Sequence, residues 1–479
     1  MTRRLLVYIL VVAASVAAVA GLIRVGNARL SPQAVRTLAV PAEAADAGSA
    51  LVHMLDNASL PLPRLLLQLA VIVLVARVFG LVARRLGQPP VIAEIAAGVI
   101  LGPSLLGWLA PTALTFLFPA TSLPVLQLLS QIGVVIFMFV VGLQLEPAHL
   151  RGKAQTAIAV SHFSIVVPFV LGVALALGLY TRYAPPGVPF TAFGLFCGIA
   201  LSITAFPVLA RILEDRDLTN TPLGATALTC AAVDDVTAWS ILAFVVAITA
   251  AGGAMQTLVA IVVLSVAFVA LMVGAGRPLL VRLLRAGNTG DTLSKERLAL
   301  VLLVLLLSAL FTELIGIHAL FGAFVAGVVM PDHGTFRVDL RGRLESVSSV
   351  FLLPIFFVVT GLRTHVGLLN DAGSWAVCLV IIGVATAGKL GGTVAAARWT
   401  GLAWRDALAL GALMNTRGLM ELVALNVGYE LGILTPEIFT MMVLMALVTT
   451  AMTGPLVSLS LNWRRQRAVA PAGPVARSS

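Results

Sequence analysis

The sequence predicts an all-α polytopic membrane protein, and three observations carry that expectation. Of 479 residues, 59% are hydrophobic and only 11% charged, with a mean hydropathy of +1.04, values foreign to a soluble domain of this size. The apolar residues come in long unbroken runs, not in the polar/apolar alternation of a transmembrane barrel. The basic residues, finally, gather on one side of the membrane once those runs are threaded through it.

The first run, 5–23, follows Arg3 and Arg4 and ends in small residues. It is read as an uncleaved anchor within residues 1–24, a cleaved signal peptide being the alternative. Residues 25–63 form a polar extracytoplasmic segment rich in Ala and Pro. Thirteen further runs lie at 64–83, 90–109, 125–145, 154–180, 188–212, 222–250, 255–275, 297–314, 316–331, 346–362, 374–397, 403–428 and 436–461. Together they make a membrane domain over 64–461, followed by a short basic tail at 462–479.

With the N-terminus inside, 22 of the 31 basic residues fall on the inner side and six on the outer, leaving Arg77, Lys389 and Arg417 within spans. The asymmetry predicts a cytoplasmic C-terminus. It also accounts for the formal net charge of +10 without a nucleic-acid partner. Cys197, Cys230 and Cys378 all lie in apolar runs without pairing or metal spacing and are read as small packing residues. No histidine shows metal spacing either: His53, His149, His333 and His365 fall in loops or the polar segment, and His162 stands alone in a span.

Two pairs of segments echo each other. "AEIAAGVILGP" (93–103) resembles "GAFVAGVVMPD" (322–332), aligning Gly98 with Gly327, and "FMFVVGLQLE" (137–146) resembles "IFFVVTGLRT" (355–364), aligning Gly142 with Gly361. The partners lie seven runs apart, an odd number, so the repeats are expected to be inverted. Inverted repeats with sites at broken helices near the midplane mark secondary transporters. Helix breaks are expected at Pro207 in "ALSITAFPVLAR" (200–211) and in "GALMNTRGLMEL" (411–422), where Asn415, Arg417, Gly418 and Glu421 interrupt an apolar run.

The costliest residues are two adjacent acids. Asp234 lies 12 residues into its run from Pro222, roughly 18 Å deep at 1.5 Å per residue. A carboxylate there costs roughly 2.5–3.5 kcal/mol on insertion scales. Asp235 points about 100° further round the helix axis, so the two acids can face different partners. Lys389, in "ATAGKLGG", is the one lysine deep in a run, and the small residues around it permit close helix approach. A structural ion pair would leave one acid unexplained, because one lysine cannot neutralise two. Lys389 balancing Asp234 leaves Asp235 to bind a proton or a small cation, which would compete. Glu94 either lines the first repeat or reaches the interface, and Glu313, near Gly316 and His318, is read as interfacial.

These residues resemble the monovalent cation/proton antiporter superfamily, and particularly its cation/H+ exchanger branch of bacteria, fungi and plants. The resemblance covers about 64–461 and rests on "GQPPVIAEIAAGVILGPSLLG" (87–107), "LSITAFPVLARIL" (201–213), "AAVDDVTAWSILA" (231–243), "GIHALFGAFVAGVVMP" (316–331) and "MNTRGLMELVALNVGYELGIL" (414–434). It implies a thirteen-helix antiporter fold with inverted repeats and two crossing broken helices, here preceded by one extra N-terminal apolar helix. It also implies homodimers in a bacterial inner (plasma) membrane, exchanging Na+ or K+ for protons by an elevator-type movement, with no cofactor and no metal beyond the transported cation. Carried over by position, Asp235 is the acid that binds cation or proton, and Asp234 and Lys389 are the ion pair of electrogenic members. Thr204 and Ser202 supply oxygens from the first broken helix; Asn415, Arg417, Gly418 and Glu421 belong to the second. Many members have Asn before the second acid, so two acids here favour electrogenic exchange. The large cytoplasmic regulatory domain of many members has no counterpart in the 18 residues after the last run, so gating by nucleotide or glutathione is not expected. Arg417→Ala is expected to impair transport more than stability.

Other classes fit less well. An intramembrane aspartyl protease needs its acids on facing helices, and a lipid-phosphate enzyme would want a third acid after Asp235, where Val236, Thr237, Ala238 and Trp239 stand. A cation channel, or a proton-coupled carrier of another solute, remains the alternative, although filter repeats and charge rings are absent.

Overall fold

The structure is a computed structural model. It describes residue 57 and residues 60–86, 88–144, 154–219, 221–250, 254–285, 294–331 and 336–468. The run at 5–23, most of the polar segment and the tail beyond 468 lie outside the described residues.

The chain folds into helices α1 (Pro61–Arg85), α2 (Pro90–Leu101), α3 (Leu123–Gln144), α4 (Ala154–Tyr183), α5 (Phe190–Ser202), α6 (Phe206–Glu214), α7 (Pro222–Ala250), α8 (Met255–Leu271), α9 (Lys295–Ile315) and α10 (Ala319–Val328). It continues with α11 (Phe336–Val347), α12 (Leu353–Arg363), α13 (Ala372–Trp399), α14 (Trp404–Met414), α15 (Leu419–Glu430) and α16 (Pro436–Ala468). Among the described residues, eleven helical stretches are long and apolar enough to cross a membrane, and the bent pair α14 and α15 makes a twelfth. The run at 316–331 differs from a full span: α10 has only ten residues, about 15 Å at 1.5 Å per residue against a hydrocarbon core of about 30 Å. Apolar composition extends the run through residues 316–318, but the backbone there cannot be helical, since Gly316 and His318 have φ of 96° and 77°.

Several boundaries follow from local chemistry. Ser294 caps α9, accepting from the N–H of Arg297 at 3.3 Å, and left-handed Gly316 ends it. Asp371 caps α13 through the N–H of Ser374 at 2.9 Å. Pro207 sits in the first turn of α6, just after the break, where a missing N–H costs least.

Helices α4–α7 and α13–α16 pack on one another as one group, and α2, α3 and α9–α12 as another. The second group is built on glycine. A Cβ at Gly98 would run into the carbonyl of Phe357, and one at Gly361 into the backbone of Gly98. Likewise a Cβ at Gly142 would meet the carbonyl of Phe324, and one at Gly327 the carbonyl of Phe139. Each echoed segment from the first half therefore crosses one from the second, α2 on α12 and α3 on α10, at backbone contact. Between the groups, Arg363 of α12 donates to Asn426 Oδ1 at 2.6 Å and to Glu430 Oε1 at 3.0 Å, both on α15. Asn426 in turn donates to Thr360 Oγ1 at 2.8 Å.

The crossings set a clear expectation for stability. Gly327→Val forces α3 and α10 apart and should destabilise the purified protein by about 1–3 kcal/mol or more, the cost of overpacking a filled site. Gly80→Ala, where a Cβ meets nothing within 4 Å, should leave the melting temperature unchanged or raise it. Equal melting of the two variants would show that the crossings are not tight.

Candidate ion-binding site

The site forms where two interrupted helices meet. Ile203 and Ala205 are extended, with ψ of 137° and 95°, which separates α5 from α6. Residues 415–418 separate α14 from α15, with a bend of 43°. Gly418 has φ 157° and a Cβ there would lie 2.8 Å from Val208 Cγ2, so both its backbone conformation and its space require glycine. The two breaks meet directly: the N–H of Ala205 donates to Thr416 O at 3.0 Å, and Thr204 Oγ1 lies 3.1 Å from Met414 O.

The carbonyls freed at the end of α5 are taken by two buried cations. Lys389 donates to Ser202 O at 2.5 Å, to Ser164 O at 3.0 Å and to Asp234 Oδ2 at 3.0 Å, which fills all three ammonium donors. Gly388 and Gly392 flank it, and a Cβ at either would press on α4, 3.0 Å from Pro168 Cα or 2.7 Å from Phe163 O; that close packing lets the lysine reach Ser164. Arg417 donates to Ala200 O at 2.7 Å and to Leu201 O, and lies 3.2 Å from Glu421. Thr450 of α16 anchors the backbone of Arg417, accepting from its N–H at 3.0 Å, with its single hydroxyl hydrogen shared between Ala446 O at 2.7 Å and Arg417 O at 2.9 Å. Two positive side chains thus sit at the negative end of a half-helix.

The two acids have different surroundings. Asp234, fully buried, accepts from Ser161, from Ser164 at 3.4 Å, from Thr204 at 2.7 Å and from Lys389. Asp235 is 3% exposed and accepts from the N–H of Phe206 at the start of α6, but among the described residues its Oδ1 has no hydrogen-bond partner.

The structure therefore brings Asp234, Asp235, Thr204, Lys389, Arg417 and Glu421 to one buried crossing. Ser202 offers its carbonyl oxygen to Lys389, and its hydroxyl turns back to Ile199 O at 3.0 Å. Asn415 is buried and only grazes Thr449 O at 3.5 Å. Arg417 holds the end of α5 and is the buried ion-pair partner of Glu421. Glu313, outside the crossing, accepts from the N–H of Ala319 at 2.7 Å and caps α10. Sequence reasoning missed Ser161 and Ser164. The signal was present in "SHFS" (161–164), two hydroxyls one helical turn apart in an apolar run.

Broken helices bonded through their breaks, with charges of both signs sealed at the crossing, define a secondary membrane carrier. The chain belongs to the family described as sodium/hydrogen exchanger, transmembrane, whose profile matches residues 70–463. It is 47% identical over 397 residues to the Na(+)/H(+) antiporter NhaS4 of Synechocystis, covering 82% of this chain and 96% of that one. It is 40% identical to cation/H(+) antiporter 17 of Arabidopsis thaliana, over 83% of this chain and 48% of the relative. With the K(+)/H(+) antiporter 1 of Saccharomyces cerevisiae the identity is 35%, over 84% of this chain and 47% of the relative. The chain thus spans about half the length of the plant and yeast relatives. The sodium proton antiporter MjNhaP1 of Methanocaldococcus jannaschii shares the fold, with a TM-score of 0.58 at 15% identity over 82% of this chain and 98% of that one. The chain is accordingly a cation/proton antiporter of this family, a secondary transporter and not an enzyme.

Arg417→Ala leaves two carbonyls and a carboxylate unpaired in the interior and should cost about 3–5 kcal/mol, the usual penalty for breaking a buried ion pair. The double variant Arg417→Leu with Glu421→Leu should recover part of that stability without recovering transport. Thermal melts of purified protein check the first claim, and flux in liposomes the second.

Proposed function

We propose that this antiporter exchanges Na+ or K+ for protons electrogenically, as a homodimer of the bacterial plasma membrane with its C-terminus cytoplasmic. Asp235 is the group that holds cation and proton in turn. The observation that carries this reading is the contrast between the acids: Asp234 has four donors, whereas Asp235 keeps a buried oxygen without a partner at the junction of the two breaks. Thr204 stands beside the pair, and Asp234 with Lys389 forms the fixed ion pair beneath it, at 3.0 Å. A second acid with its own lysine is the charge arrangement that electrogenic exchange calls for, since the pair can move charge in addition to the exchanged ion. The relatives are named for sodium, for potassium and for cations generally, which keeps both ions in view. The reciprocal glycine crossings support reading the two halves as inverted repeats, and hence alternating access by movement of the group that contains the site against the other.

On this reading, Asp235→Asn abolishes ion-dependent proton flux in proteoliposomes, since the carboxylate that takes either cargo is gone. Asp234→Asn retains exchange and loses sensitivity to an imposed membrane potential. Currents on solid-supported membranes and a vesicle pH assay separate the two. Normal flux in Asp235→Asn would sink the site assignment, whereas a wild-type rate blind to voltage would sink only the electrogenic stoichiometry. A screen of Li+, Na+ and K+ on the same vesicles identifies the ion. A cysteine placed after Arg467 that an impermeant reagent labels in intact cells would reverse the topology.

A further inference from the structure

The acid beside the ion-binding acid is wrapped by hydroxyls from a helix that none of the motifs drew on. Ser161 and Ser164 lie one turn apart on α4, both fully buried, and both donate to Asp234, Ser161 to Oδ1 and Ser164 to Oδ2 at 3.4 Å. With Thr204 at 2.7 Å and Lys389 at 3.0 Å, Asp234 has four donors, about the number of lone-pair sites that a carboxylate offers. Hydroxyls in membrane helices commonly turn back onto the carbonyl one turn earlier, as Thr229 and Thr237 do on α7, at 2.8 Å each. The two serines of α4 instead aim at a neighbouring helix.

We infer that Ser161 and Ser164 are specificity-determining residues: by occupying Asp234 they remove it from the cation's ligand shell and keep the binding site a one-carboxylate site at Asp235. This rests on Asp235 being the ion-binding acid. Two carboxylates around one monovalent cation make a stronger field than one, and a stronger field favours the smaller, more tightly coordinated ion. The serines set the preference by exclusion: they satisfy a competing ligand in advance. Lys389 is untouched by their removal, because it binds the backbone carbonyl of Ser164, which alanine retains.

The test is ion preference in proteoliposomes, read as the ratio of KM for Li+ to KM for K+. In the double variant Ser161→Ala with Ser164→Ala, Asp234 keeps Lys389 and Thr204 on Oδ2, and its Oδ1, no longer held by Ser161, can join the cation. The ratio should fall by about tenfold, equivalent to about 1.4 kcal/mol of preference. Ser161→Ala alone should move it part of the way, and it provides the readout should the double variant fail to fold. Ser161→Thr, which keeps the hydroxyl, should restore the wild-type ratio. A purely structural role would lower kcat or the melting temperature while leaving the ratio where it was. An unchanged ratio in folded Ser161→Ala overturns the inference. Asp235→Asn in the same vesicles tells the two failures apart. If it abolishes flux while the serine variants keep the wild-type ratio, only the selectivity role fails; if it exchanges normally, the site assignment fails first.

Discussion

A peptide carbonyl released inside a bilayer has no water to turn to, and the rest of the site follows from that constraint. Breaking α5 from α6 frees the carbonyls of Ala200, Leu201 and Ser202. The chain satisfies them with Lys389 and Arg417, the only completely buried basic side chains among the described residues. Once those cations are in place, the acids are required in turn: Asp234 faces Lys389 and Glu421 faces Arg417. Asp235 is the residue this chain of necessity does not explain, which is the physical reason for placing the cargo there.

The second group of helices solves a different problem with different means. Its crossings rest on four glycines whose missing side chains let backbones touch. Dispersion between close-packed backbones needs no hydrophobic drive, and in lipid it is among the few forces left to hold helices together. The site-bearing group is joined to it by a polar seam in which Arg363 meets Asn426 and Glu430. Polar bonds of that sort can be exchanged, whereas interlocked glycine crossings cannot slide.

Much of this was legible in the sequence, for reasons that differ by element. The apolar runs, the breaks just before Pro207 and at 415–418, and the conspicuous cost of Asp234, Asp235 and Lys389 are local properties of the chain, and local properties can be read without coordinates. The hydroxyls of α4 could not be weighed in the same way. Serine is cheap in a membrane helix because it can bond to its own backbone, so its presence says nothing about where it points. At Ser202 an oxygen was expected, but which one is offered to Lys389, the carbonyl and not the hydroxyl, depends on a backbone bend that the sequence does not display. The run at 316–331 was read by composition alone, and composition does not register a histidine at positive φ. Arg417 was assigned to transport because its charge is visible, while the carbonyls it holds belong to another segment more than 200 residues away.

The buried charges have an arithmetic of their own. At formal charge, Asp234, Asp235 and Glu421 stand against Lys389 and Arg417, so the crossing without cargo carries one uncompensated negative charge. On the proposed reading, one proton or one monovalent cation at Asp235 brings it to zero, and the extra charge of an electrogenic cycle is carried by the Asp234–Lys389 pair. Carrying a bare charge through a medium of low polarisability is expensive, and carrying a neutral assembly is not. On the proposed reading, the empty carrier meets a steeper barrier to reorienting than the loaded one, a difference that would suppress idle strokes and keep the two ion gradients geared together.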